Sequence, residues 1–310
     1  MTEQRRPGVV WLRDDLRVTD NPALRAAVES GAPLLLVHVL DGSDRVSRPL
    51  GGASRWWLHH SLAALGASVA RRGGRLVLRR GDAEEQVLAL VRETGAEHVY
   101  WNRRYARAER EQDARVAAAA AELGVGTHAF AANVLHEPGS VRQADGSPFG
   151  VFSPYWRAAQ ARGEPRAPHA APDAIPAHAG EVRSEALEDL GLLPTAPDWA
   201  GGLRETWTPG EKGAHRRLDD FVHARLEHYA AGRDIPSADA SSRLSPHLKF
   251  GELSPYQVWH RVRSSDRVPR EAADKFLSEL GWREFNYTLL ADHPGLGTKS
   301  VSPQFDRIRS

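Results

Sequence analysis

"GVVWLRDDLRVTDNPALRAAVESGAPLLLVHVLD", residues 8–41, holds a short apolar run, a helical stretch closing on Gly, and a second, stronger apolar run. The two runs read as strands and the stretch between them as a helix, with Gly a usual stop. The alternation continues. "GRLVLRRGD", "EHVYWNRRY" and a weaker "GTHAFAANVL" are strand-like, while "SRWWLHHSLAALGASVARRGG", "AEEQVLALVRETG" and "ARAEREQDARVAAAAAELG" are helical. Continuous apolar strands joined by helices predict an α/β fold, a parallel sheet covered on both faces. Ligands of such sheets sit outside the carboxyl ends of the strands. No G-x-G-x-x-G follows the first strand and there is no Walker loop, so dinucleotide or NTP binding of those kinds is not indicated.

The length of 310 residues suggests two domains. With 41% hydrophobic and 26% charged residues, the chain can build an ordinary globular core. Lys and Arg (41) nearly balance Asp and Glu (40), for a net charge of +1, so any nucleic-acid contact must come from a local patch. The absence of cysteine excludes disulfides, thiolate metal sites and Cys nucleophiles, and fits a cytoplasmic protein. No apolar run is long enough to span a membrane. The polar lead "MTEQRRPG" reads as no signal peptide. Nine tryptophans against one methionine supply stacking faces as well as core area.

Residues 160–210 change character. "ARGEPRAPHAAPDAIPAHAGE" and "LLPTAPDWAGG" are rich in Pro, Ala and Gly and read as a long connection over the surface, much of it a low-complexity tether. From about residue 205 the pattern is helical, without strand signals. Leu218, Phe221, Val222, Leu226 and Tyr229 recur at helical spacing. Two Leu-Ser-Pro starts follow, in which Ser245 or Ser254 can N-cap while Pro246 or Pro255 takes the first helical position. "FLSELGWREFNYTLL", residues 276–290, is a helix with Glu279, Trp282, Arg283 and Asn286 on one face.

Several of these residues could carry chemistry. Ser241, Ser242 and Ser245 surround a helix start whose free N–H groups could hold a phosphate, though plain capping accounts for them better. Taken alone, Tyr229 is a core aromatic and Arg233 a solvated charge. Glu279–Arg283 and Trp282–Asn286 are i,i+4 pairs, and the bland account of the first is an exposed ion pair. An acid, an indole and a guanidinium side by side also suit a flat polar aromatic ligand. Asp14 and Asp15 could ligate a metal, but internal ion pairs and helix capping by Thr19 or Asp20 before Pro22 explain that stretch better. His59 and His60 face two sides of a helix and make a poor metal site. No metal site is expected, and no Ser-His-Asp order or H-E-x-x-H motif stands out.

"VVWLRDDLRVTDNPAL", "SSRLSPHLKFGELSP" and "FLSELGWREF", in this order and at these separations, closely resemble the photolyase–cryptochrome family. The nearest likeness is to microbial photolyases that repair cyclobutane pyrimidine dimers; "YWNRRY" and "WTPGEKGAHRRLDDF" agree, and the resemblance covers nearly the whole chain outside the linker. It implies a Rossmann-like α/β antenna domain over residues 1–132, an interdomain linker over 133–204, and the first part of an all-helical FAD- and DNA-binding domain over 205–310. The implied activity is that of a deoxyribodipyrimidine photo-lyase. Reduced flavin, excited by blue light, passes an electron to a flipped-out dimer in UV-damaged DNA, and the electron returns after the ring splits.

The resemblance assigns Tyr229, Ser241, Ser242, Arg243, Leu244 and Ser245 to flavin binding, with the serines as a phosphate cradle. Phe276 stands where relatives often have Trp beside the flavin. Arg233 matches a DNA-contacting position. Glu279 matches the acid that hydrogen-bonds the dimer and Trp282 the indole that packs on it; Arg283 and Asn286 extend that surface toward flavin and DNA. An antenna pigment is also implied. The folate-type (methenyltetrahydrofolate) site uses an Asn-Glu pair where this chain has Ala108-Glu109, whereas Arg55 and Lys249 match positions of deazaflavin-type members, so a deazaflavin is the expected pigment. The protein is expected to be a monomer. Relatives continue well past the equivalent of Ser310, so the chain is expected to be a truncated piece that holds FAD poorly or not at all. The alternatives are a cryptochrome-like photoreceptor and a non-enzymatic remnant; Glu279 and Trp282 favour repair over sensing.

Overall fold

A computed structural model describes residues 5–42, 49–296, 298–300 and 304–305. Residues 1–4 of the polar lead and most of the stretch after Ser300 lie outside the described residues. Five parallel strands, β1 (Gly8–Leu12), β2 (Leu34–Leu40), β3 (Leu76–Arg80), β4 (His98–Asn102) and β5 (Gly126–Phe130), form one sheet in the order β3-β2-β1-β4-β5. Between them run α1 (Pro22–Glu29), α2 (Gly52–Ala70), α3 (Ala83–Thr94) and α4 (Arg107–Glu122). Strand side chains alternate between faces. Val10, Leu12 and Leu36 meet α1 and α2 in one core, while Val9, Trp11 and Val37 meet α3 and α4 in another. Both faces are therefore covered, which is why these strands read as unbroken apolar runs. The strand order reverses beside β1, and at such a point the carboxyl ends open a crevice.

The segment after β1 is a knot of buried polar groups. Arg17 is 0% exposed. Its guanidinium donates to the carbonyls of Asp20, Ala132 and Gly251 and to Asn133 Oδ1. Asp15 accepts from the Arg13 amide (2.5 Å) and from Asn102 Nδ2 (2.6 Å). Arg13 pairs with Asp113 and donates to the Asn102 carbonyl. The cap of α1 is Asn21, whose side chain accepts from the Leu24 amide, rather than Thr19 or Asp20. Asp20 lies at φ +49 and takes the Arg166 guanidinium and the His169 amide instead. The acids of this stretch find partners outside it rather than in each other's arginines: Asp14 pairs with Lys249 and Asp20 with Arg166, while Asp15 is held by hydrogen bonds from the Arg13 amide and Asn102.

Residues 160–210 depart from the expected loose tether. Leu34 donates its amide to Pro176 O and accepts from the His178 amide, Ile175 bonds to Arg72 O and Glu185 to Leu78 O. Ile175, Val182, Leu190 and Leu192 are buried. Pro and Ala withhold helix and strand signals, yet the scattered Ile, Val and Leu are enough to strap the segment along the sheet. Just before it, α5 (Phe152–Gln160) carries Tyr155 and Trp156 into a further core, apart from the two on the sheet faces.

That further core is helical, built with α7 (Glu211–Ala224), α8 (Tyr229–Gly232), α9 (Ser245–Lys249), α10 (Pro255–Arg263) and α11 (Arg270–Asp292) around it, whereas Leu203 of α6 (Gly201–Thr206) packs on the core of β1, α1 and α2. The helical spacing of residues 218–229 is interrupted at Arg225 by a 3-10 turn before α8, but Leu218, Phe221, Val222, Leu226 and Tyr229 are all buried. Ser254 caps α10 in a reciprocal box with Gln257. Ser245 is already inside α9, whose cap position is Leu244, so its hydroxyl is not used as a cap. Among the described residues, no helix is long and apolar enough to cross a membrane.

Candidate functional site

A cleft of about 840 Å³ opens between α8, the 241–245 turn, α9 and α11. Tyr229, Ser241, Ser242, Arg243, Leu244, Ser245, Phe276 and Arg283 line it, and so do Arg233, Glu279, Trp282 and Asn286. Two segments some forty residues apart in the chain thus share one wall system. Helical periodicity brings Glu279, Trp282, Arg283 and Asn286 to the same side of α11. The floor is aromatic: Phe276 lies 5.2 Å from Tyr229, edge-on, and 4.6 Å from Phe221. The 241–245 turn bends at Arg243, which adopts φ +53 and pairs with Asp239 at 3.0 Å. Ser242 Oγ accepts from the Leu244 amide at 3.4 Å. Hydroxyls and guanidinium on one rim over a ring-lined floor suit a ligand with an anionic part and a flat apolar part.

The expected Glu279–Arg283 pair does not form. Glu279 pairs with Arg233, whose guanidinium also lies 5.4 Å over the Tyr229 ring. Arg283 turns to the Asn133 carbonyl, 2.6 Å, and to Tyr287. A tertiary partner of better geometry outcompetes an i,i+4 ion pair worth only a few tenths of a kcal/mol. The sequence reading missed Leu248, Val258, Tyr287 and Leu290, which also line the cleft. Tyr287 had a legible signal, its i,i+4 spacing from Arg283; the aliphatic residues had none.

A second cleft, about 440 Å³, sits at the carboxyl ends of β1 and β2 and is lined by Trp11, Arg13, Asp14, His38, Arg104, Glu109 and Lys249 among others. Lys249 lines both clefts and donates to Asp14 at 3.0 Å. Burial works to raise the Asp14 pKa, but Lys249, Arg104 and Arg13 together hold it below the usual value. Burial pushes His38 down, so its imidazole is neutral near pH 7 and donates from Nδ1 to Leu12 O. Arg55 is not brought to this cleft; its guanidinium donates to Gly191 O. Among the described residues, no group of three or more His, Cys, Asp or Glu could hold a metal ion.

One buried acid stands behind the main cleft. Glu284, 1% exposed, accepts from the amides of Leu135 (2.6 Å) and His136 (3.0 Å), while Oε1 has no hydrogen-bond partner and lies 3.5 Å from Arg283. Burial pushes its pKa up to about 7, against the pull of Arg283 and the two amides. Between the unfolded value of 4.5 and about 7, the folded protein keeps a proton that the unfolded chain has lost. Stability therefore falls as pH rises through that window and levels above it, by about 3 kcal/mol in all. Glu284→Gln should flatten the change between urea unfolding curves at pH 5 and pH 8. Parallel pH profiles for the two proteins would refute this assignment.

A doubly wound parallel sheet joined to a helical cleft rimmed by serines, arginines, an acid and an indole defines an α/β-plus-helical architecture with two ligand-sized clefts. Residues 8–176, more than half of the chain, match the model of the DNA photolyase family, and the chain belongs to that family. It is 44% identical over 301 residues to a deoxyribodipyrimidine photo-lyase of Agrobacterium fabrum, a match covering 97% of this chain and 62% of that protein. It is 31% identical over 297 residues to cryptochrome-1 of Arabidopsis thaliana, covering 92% of this chain and 43% of that one. The crystal structure of a bacterial class III photolyase from Agrobacterium tumefaciens superposes with a TM-score of 0.95 at 43% identity, over 100% of this chain and 64% of that chain. The chain thus spans less than two thirds of the length of these relatives.

Proposed function

We propose that the chain acts as a deoxyribodipyrimidine photo-lyase-type flavoprotein on UV-damaged DNA, as a monomer in the cytoplasm. The observation that carries this reading is the convergence of all twelve flavin- and DNA-type residues on one cleft. Its volume is toward the upper end of the ordinary range for small-molecule sites, about 300–1,000 Å³, and leaves room for a cofactor the size of FAD. Ser241, Ser242, Ser245 and Arg243 would hold the diphosphate, with Tyr229, Leu244 and Phe276 against the apolar rings and Arg283 beside them. Reduced flavin supplies the electron that opens a pyrimidine dimer. The chain's own residues bind and orient: Glu279 accepts hydrogen bonds from the flipped bases, Trp282 packs on their rings, and Arg233, Arg283 and Asn286 meet the DNA. The 44% identity to a photo-lyase, against 31% to a cryptochrome, supports repair over sensing.

For the second cleft we propose a light-harvesting pigment held by Lys249 beside Arg13 and Arg104. Ala108 in place of the folate-type Asn favours a deazaflavin, although Arg55 lies elsewhere. The main reading is tested directly. Against the expectation from the sequence that this chain holds FAD poorly, the lining of the cleft leads us to expect that the purified chain retains FAD through gel filtration, and that with the flavin reduced, blue light removes dimers from an irradiated oligonucleotide while darkness does not. A chain that emerges free of flavin, or dimer loss in the dark, would sink it.

A further inference from the structure

Trp282 is 42% exposed, yet its indole is held from behind. Phe152, the first residue of α5, stacks on it with ring centroids 4.0 Å apart and planes 13° from parallel. Trp156 is also near-parallel to Phe152, 13° between planes, with centroids 6.2 Å apart. Phe285 closes the flank, edge-on to both Phe152 (6.1 Å) and Trp282 (5.9 Å). Trp156 is itself seated on α11 at Gly281, where an added Cβ would come within 2.6–2.8 Å of three indole atoms. Glycine is disfavoured in a helix interior; at Gly281, one residue before Trp282, it lets the Trp156 ring reach the helix backbone. The result is a group of near-parallel rings, Trp156, Phe152 and Trp282, seated on the helix that carries Trp282.

We propose that Phe152 is a positioning residue for the main cleft. It fixes the plane of Trp282 so that the indole's free face is a wall for an unstacked pair of pyrimidine rings. A 4.0 Å stack leaves no space for another ring between Phe152 and Trp282, so a ligand ring must use the opposite face of the indole. The choice of ligand rests on the proposed function; the holding of Trp282 does not. Phe152 comes from the segment that the sequence reads as linker, which is why no motif points to it.

Two measurements test this. The first uses protein labelled with 5-fluorotryptophan, with the Trp282 resonance assigned by loss in Trp282→Phe. In fluorine NMR, Phe152→Leu should shift or broaden that resonance and Phe152→Tyr should keep it. An unchanged Trp282 signal in a folded Phe152→Leu protein overturns the proposal. The second is the affinity for a UV-irradiated oligonucleotide. Phe152→Leu should weaken it about 5-fold, Phe152→Tyr should stay within about 2-fold, and Phe152→Leu should add nothing in a Trp282→Ala background. An equal loss in that background means a general structural effect and also overturns it. Should Phe152→Leu fail to fold, Phe152→Met, which is unbranched, carries both arms. If the NMR arm holds while no variant distinguishes irradiated from intact DNA, the lesion reading falls and the positioning of Trp282 by Phe152 stands.

Discussion

Replacing Arg17 by methionine should lower the unfolding free energy by about 3–5 kcal/mol, because a cation with several buried acceptors is removed and the acceptors stay. Methionine fills a similar volume without a donor. The carbonyls of Asp20, Ala132 and Gly251 and the Asn133 amide oxygen would then lose bonds in a region with no exposure at Arg17. The damage would not stay local. Those acceptors belong to the turn after β1, to the segment after β5 and to the turn between α9 and α10, so one side chain ties the sheet to the helical core. Gly251 makes the same junction in another way: it sits at φ +64, and a Cβ there would collide with the Asp14 backbone. Lysine at position 17 should recover little, since three donors on one nitrogen cannot match a fork of five. Urea unfolding monitored by circular dichroism measures the effect. A loss below about 1 kcal/mol would mean that the knot is ornamental.

Trp282→Ala should cost about 100-fold in affinity for dimer-containing oligonucleotide and little for intact DNA. Base–aromatic stacking contributes about 1–3 kcal/mol per base, and two bases of a dimer would share this indole. Intact duplex keeps its bases stacked and meets mainly phosphate-binding groups, which the substitution leaves in place. Glu279→Gln should show the same selectivity with a smaller loss, about 10-fold, because it removes one charge-assisted acceptor and frees Arg233 from its partner. Trp282 is half-exposed, so stability should change little and a lost preference cannot be blamed on unfolding. Fluorescence anisotropy with irradiated and intact oligonucleotides separates the outcomes. Equal weakening toward both would show that Trp282 serves DNA contact in general and not lesion recognition.

The α/β half was legible because its signal is local. Val9 to Leu12 and Leu34 to Leu40 are apolar on both faces, and each helix between strands closes with a readable stop. The four-residue face of α11 was legible for the same reason, as helical geometry puts positions 279, 282, 283 and 286 together whatever surrounds them. The pairings across that face were not legible. Arg283 and Glu279 look like partners by spacing, yet each finds a stronger one in a segment far away in the chain, at Asn133 and Arg233.

Periodicity determined the parallel sheet and the helical second half, since each depends on spacing along one segment, while the residues of the cleft were named by the family resemblance of three motifs. Tertiary structure alone decided what those residues touch. It made Arg17 a buried clasp, spent Asp14 and Asp15 in ion pairs and hydrogen bonds, turned Arg55 away to Gly191, and brought Phe152 out of an apparent linker to back Trp282. The physical reason is that hydrogen bonds and ring stacks are strong only over a few ångströms. Which groups come that close is set by packing between distant segments, and one-dimensional spacing carries no record of it.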